Sequence, residues 1–239
     1  MKTFDYEVAL NQLGLDKSQQ LNKIDYDKIL KSVRGDDFLK LFLPYVKVVG
    51  DSREQNQWIR KACFYYGIAY EIAKKDKDTG TENLKEGDYT FKVVFGEKVY
   101  DYTGIVAFER KGSPSEFYGN CTAERDRLHR EFERFKEKKY KKVMLMLEFG
   151  EKLTDLIDMK FQYRGEGGRM VTKYTHYTLY ASIMSWKQSN GYGFEVMQGL
   201  SHQELFWQML QECFYFFRNE LRIECEEKGL IKENEDEIN

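Results

Sequence analysis

The sequence predicts an α/β protein in which a mixed central β-sheet is covered by helices on both faces. Three features carry that expectation. Short apolar runs such as "YVKVVG" and "KVMLMLE" recur between longer segments whose apolar residues fall at helical spacing. Two Ser-x-x-Glu signatures, Ser113–Glu116 and Ser201–Glu204, mark helix starts, the first with Pro114 at the first helical position. No internal repeat interrupts the alternation of strands and helices.

Residues 1 to about 45 read as a polar helical extension, with Leu21, Ile24, Ile29, Leu30, Val33, Leu39, Leu41 and Phe42 at roughly helical spacing and Pro44 at the boundary. Tyr45–Gly50 reads as a buried strand, Gln57–Tyr66 as a helix and Ile68–Ala73 as a second strand. Lys74–Gly87 is rich in turn formers and reads as a loop. Asp88–Phe95 and Tyr100–Glu109 read as two strands joined by Gly96-Glu97. From Ser113 a long helix is expected to about Lys138, then an apolar strand, Lys142–Glu148.

Phe161–Lys173 reads as a glycine-rich basic loop, Thr175–Ser189 as a helix and Gly193–Met197 as a short strand. The last helix opens at Ser201 and keeps Leu205, Phe206, Met209, Leu210, Cys213, Phe214 and Phe217 on one side. The expected organisation is an extension (1–45), a main domain (46–225) and a charged, solvated tail (226–239).

Composition narrows the classes. The chain has 239 residues, 41% of them hydrophobic and 15% aromatic, enough to build a core. Its formal net charge of −2 gives no global basic field, so nucleic-acid binding would need a local patch. The four cysteines (Cys63, Cys121, Cys213 and Cys225) form no Cys-x-x-Cys pair and gather no histidines, which argues against a zinc site or a disulfide framework. No signal-peptide core or run of transmembrane length is visible, so a soluble, intracellular protein in a reducing compartment is expected.

Charged residues fall where strands start or stop. Asp51 and Glu54 follow the first strand, Asp88 begins the third, Glu109-Arg110-Lys111 ends the fourth, and Glu148 ends the fifth. Carboxylates converging from neighbouring strand ends form the hard-oxygen site that suits Mg²⁺ or Mn²⁺. Strand alternation puts Glu109 and Lys111 on one face and Arg110 on the other. Each signal alone has an ordinary reading: Asp51-x-x-Glu54 also fits a helix capping box, Asp88 a turn, and Glu-Arg-Lys a solvated strand end. Their ordered co-occurrence separates the two.

That order resembles the XPF-type nucleases, a branch of the PD-(D/E)XK group. "VVGDSREQ", "LKEGDYT", "FERKGSPSEF" and "VMLMLEFG" are similar to the family's segments, and the resemblance extends over about Val46 to Leu221, most closely to short phage and mobile-element members. It implies a restriction-endonuclease-like fold and metal-dependent DNA cleavage. Asp88 and Glu109 would then be the main ligands of Mg²⁺ or Mn²⁺. Asp51 would join them as a ligand, Glu54 would complete the acidic cluster, and Lys111 would be the catalytic lysine. Arg53 would support the site. Three features depart from the pattern: Ser115 stands where the family has an acid, with Glu116 next to it; the spacer from Asp88 to Glu109 implies a hairpin beside the site; and no tandem helix–hairpin–helix module is present.

For holding DNA, residues 110–142 carry eleven lysines and arginines against six acids. Arg110, Arg125, Arg127 and Arg130 are candidates for phosphate contact, with Arg164 and Arg169 in the glycine-rich loop. Tyr174, Tyr177 and Tyr180 read as core. Residues 1–45 are candidates for homodimerisation or for binding a partner protein. Three functional readings stay open: a metal-dependent DNA endonuclease acting on branched or junction DNA, an inactive DNA-binding or scaffolding module on the same fold, and an RNA-directed nuclease.

Overall fold

The computed structural model describes residues 42–54, 57–73, 84, 86–95, 98–148, 160–164, 170–174, 176–199 and 201–228. The expected N-terminal extension and the end of the charged tail lie almost wholly outside them. In chain order the elements are β1 (Val46–Asp51), α1 (Trp58–Tyr65), β2 (Ala69–Ala73), β3 (Tyr89–Phe95), β4 (Lys98–Asp101), β5 (Val106–Lys111), α2 (Pro114–Cys121) and α3 (Arg125–Glu137). There follow β6 (Lys142–Leu147), β7 (Lys160–Arg164), β8 (Met170–Tyr174), α4 (His176–Gln188), β9 (Phe194–Gln198) and α5 (His202–Glu227). The chain is a mixed α/β fold, as the alternation of strands and helices predicts.

Seven strands form the central sheet, in the order β2-β1-β3-β5-β6-β9, with β4 also paired to β3. β1 runs parallel to β2, and β5, β6 and β9 are mutually parallel. β3 is antiparallel to both β1 and β5. The C-terminal ends of β1, β5 and β6 and the start of β3 therefore share one edge of the sheet, and every strand-end carboxylate singled out above arrives there.

Alternation divides the sheet between two cores. Val46, Val48, Phe91, Phe108 and Met146 pack against Ile59 and Cys63 of α1 and the apolar stripe of α5. Ala107, Val143, Leu145 and Leu147 face the other way, onto Phe117 of α2, Leu128, Phe132 and Phe135 of α3, and Leu179, Ile183 and Trp186 of α4. The predicted α5 stripe from Leu205 to Phe217 is buried, and it continues through Leu221 and Cys225. Burying each large apolar side chain is worth about 1.5–3 kcal/mol, so this stripe is what keeps a 26-residue helix on the sheet.

Several expectations change. The long helix from Ser113 is two helices. Thr122 leaves helical geometry (φ −122°, ψ −90°), its hydroxyl bonding back to Tyr118 O at 2.8 Å, and Gly119 O accepts the N–H of Glu124 at 2.9 Å. Gly119 and a β-branched Thr122 weaken the helix where the chain must turn to lay α3 on the sheet. Tyr100–Glu109 is likewise two strands. A turn from Tyr102, with Gly104 at φ +78°, separates β4, which pairs with the far half of β3, from β5, which meets β3 only at Tyr89–Phe108.

The glycine-rich basic stretch carries a β7–β8 hairpin, its strands antiparallel from Lys160–Tyr174 to Arg164–Met170. The hairpin implied by the long spacer exists as β3–β4, but it leaves β3 at Phe95, the end away from Asp88. It does not flank the strand-end carboxylates. Tyr180 is 49% exposed rather than core.

Candidate active site at the sheet edge

β5 delivers three charges to the shared edge, and its alternation sorts them. Glu109 and Lys111 are buried on the α3 side, where the Lys111 ammonium donates to Glu109 Oε1 at 2.5 Å. Arg110 points to the opposite face, where it pairs with Glu148 and lies 3.7 Å from Glu54. His202, the first residue of α5, contacts the other Glu148 oxygen and stacks on Trp58 with ring centroids 4.6 Å apart. This ion-pair chain ties the ends of β1, β5 and β6 to α1 and α5.

Asp88 sits where three strands meet. Its N–H donates to Phe108 O at 2.9 Å, its carbonyl accepts the N–H of Asp51 at 2.8 Å, and its Oδ2 accepts the N–H of Arg110 at 2.7 Å. Burial pushes the Asp88 carboxyl well above the usual carboxylate range, and the Glu109 charge beside it pushes further. For Lys111 burial alone would favour the neutral amine, but the Glu109 carboxylate outweighs it and the net direction is upward. That direction and the contact with Glu109 both favour the ammonium form of Lys111.

Asp51 is engaged differently. Its carboxylate accepts the Arg53 N–H at 2.7 Å and the Arg53 guanidinium at 2.9 and 2.8 Å, closing a turn after β1. It does not cap a helix, because α1 begins only at Trp58. Glu116 does cap one. Its own N–H is held by Ser113 Oγ at 3.1 Å and its carboxylate accepts the N–H of Gly112 at 2.8 Å, so the acid beside Ser115 serves the helix start.

The residues fit a divalent cation in one respect. Glu109 Oε2 is buried with no hydrogen-bond partner among the described residues, and Asp88 lies beside it, two carboxylates of the kind that hold Mg²⁺ together with waters and substrate phosphate. Among the described residues no group of three His, Cys, Asp or Glu is arranged to hold a metal ion. Asp51, the third expected ligand, is occupied by Arg53.

Of the candidate DNA contacts, Arg127 and Arg130 are exposed on α3, Arg127 pairing with Glu124 at 2.8 Å. Arg125 instead bonds Ser182 Oγ at 3.1 Å and lies over the Trp186 ring. Arg164 ends β7, and Arg169 is outside the described residues.

Glu131 of α3 is a site neighbour that residue spacing did not single out. It lies beside Glu109, and burial followed by the Glu109 charge raises its carboxyl to about 7. Only the packing of α3 against β5 brings it there, and in the sequence it is one of many charges on an amphipathic helix.

No family model matches the chain, and no curated protein does. Among solved structures it is similar to XPF from Aeropyrum pernix, at 17% identity and a TM-score of 0.47, over 74% of this chain and 68% of that one. It is also similar to the same protein in a complex with DNA, at 15% identity and a TM-score of 0.46, over 73% of this chain and 66% of the other.

Proposed function

We propose that this chain is a divalent-cation-dependent nuclease that hydrolyses phosphodiester bonds in DNA, with Asp88, Glu109 and Lys111 at its centre. One observation carries the reading. Asp88 is clamped by the N–H of Arg110, between the two residues whose side chains form the buried Glu109–Lys111 pair, and Glu109 Oε2 is left without a hydrogen-bond partner among the described residues. A bound Mg²⁺ or Mn²⁺ would polarise the scissile phosphate and lower the pKa of the attacking water. Asp88 and Glu109 would hold the ion. Lys111, held as an ammonium, would offset negative charge gathering on the phosphate. The exposed Arg127 and Arg130 would track the DNA backbone. Branched or junction DNA, and a setting in phage or mobile-element replication, recombination or repair, rest on the sequence resemblance.

The test is cleavage of labelled single-strand, duplex, splayed-arm and flap DNA with Mg²⁺, Mn²⁺ or EDTA, with matched RNA flaps alongside. Wild type should cut only with metal, and Asp88→Ala and Lys111→Ala should each lose at least about 100-fold. Preferential cutting of the RNA flaps would move the substrate from DNA to RNA. A second reading, a DNA-binding module without catalysis, has its own support in the internal Glu109–Lys111 pairing and in the lack of a three-ligand group among the described residues. Binding of all substrates with no cutting under any metal would select it.

A further inference from the structure

Glu86 is a buried carboxylate that the proposed chemistry does not use. Its side chain is 3% exposed, and a carboxylate this deep is costly unless paired. Its partners come from the last turn of α3 and the α3–β6 connection: Lys138 binds Oε1, the Tyr140 hydroxyl donates to Oε2 at 3.1 Å, and Arg134 Nε stands 3.8 Å from Oε1. Two residues later comes Asp88. Gly87 between them has φ +75°, and a Cβ there would lie 3.0 Å from the Ala107 Cβ. The short backbone from Glu86 to Asp88 is thus pressed onto β5 and has little freedom to absorb movement at either end. On its other side the Arg53 guanidinium donates to Leu84 O at 2.9 Å.

We propose that Glu86 is a positioning residue: anchored by Lys138 and Tyr140, it fixes the strand-edge placement of Asp88 through Gly87. Its importance for cleavage rests on the function proposed above, whereas its effect on Asp88 does not.

The experiment is residue-resolved amide hydrogen exchange on the full chain, comparing wild type with Glu86→Ala and Glu86→Gln. The amides of Asp51, Asp88 and Arg110 report the Asp88 clamp directly, because they donate to or belong to it. In Glu86→Ala these three should exchange at least about tenfold faster, while amides of α5 such as Leu210 stay unchanged. Glu86→Gln, whose carbonyl oxygen can still accept from Lys138 while its amide N–H donates to the Tyr140 hydroxyl, should fall close to wild type. Unchanged exchange at the three amides overturns the proposal. So does uniformly faster exchange across the chain, which would make Glu86 a general stabiliser. In parallel cleavage assays, Glu86→Ala should lower kcat with KM unaltered. A wild type that cuts nothing would sink the proposed function, and the exchange result would still decide what Glu86 does.

Discussion

The backbone N–H of Arg110 donates to Oδ2 of Asp88 at 2.7 Å across 22 positions of sequence. One residue thereby serves both faces of the sheet. Its main chain fixes the carboxylate at the start of β3, and its guanidinium holds Glu148 on the side of α1 and α5. Its neighbours Glu109 and Lys111 are left to face α3 together.

Arg110→Ala is expected to destabilise the fold by about 3 kcal/mol or more, because it leaves Glu148, 5% exposed at its side chain, short of its cation. Arg110→Lys should recover only part of this, since an ammonium cannot reproduce the planar fork. Urea denaturation measures both. An Arg110→Ala protein as stable as wild type but weakened in DNA binding would shift the role of Arg110 from the fold to the DNA.

Glu131→Gln tests the buried carboxyl pair. The folded-state pKa of about 7 lies above the ordinary value of 4.5, so the folded protein retains a proton that the unfolded chain gives up. The stability from that proton is complete below about 4.5 and is lost as pH rises through about 7. In EDTA, Glu131→Gln should match wild type near pH 4 and be more stable at pH 8, by on the order of 1–3 kcal/mol. Parallel stability curves across this pH range would show that Glu131 is not held this way.

Gly87→Ala combines two penalties, a left-handed backbone (φ +75°) and a Cβ 3.0 Å from that of Ala107. A loss of about 1–3 kcal/mol is expected, together with loss of cleavage, because the strain falls on the residue before Asp88. Thermal melting beside a cleavage assay would check it, and a fully active, equally stable Gly87→Ala would contradict the geometry.

The arginines of α3 should separate by environment. Arg127→Ala and Arg130→Ala, at exposed positions, should each weaken DNA binding and reduce the slope of log affinity against log salt by about 1, with melting unchanged. Arg125→Ala should instead lower stability, since it removes the contacts to Ser182 and Trp186. The salt titration and the melting curve together decide between these assignments.

Ser113→Ala should cost about 1 kcal/mol, because Ser113 Oγ accepts the Glu116 N–H at 3.1 Å at the start of α2. Far-ultraviolet melting would register it. No change would mean that Pro114 alone sets the helix start.

Local chemistry made most elements legible. Both Ser-x-x-Glu caps open helices where the sequence places them, and the stripe from Leu205 to Phe217 lies on the core. Period-two alternation was enough to put Glu109 and Lys111 on one face and Arg110 on the other. It could not say whether Tyr100–Glu109 was one strand or two, because that depends on how β3 shares its edge between β4 and β5. Nor could residue order reveal the break at Thr122, where the need to lay α3 on the sheet overrides helix continuity.

At the candidate site the sequence by itself determined which charged residues stand at strand ends, since a turn and an apolar run are local signals. Tertiary structure decided their partners. Asp51 closes on Arg53, Glu109 on Lys111, Arg110 on Glu148, and Glu86 on Lys138 and Tyr140. Most of these pairs span tens of residues, and all lie where burial makes an unpaired charge costly. For the long-range pairs, which cation meets which carboxylate is settled by packing, after the strands have brought the charges to one edge.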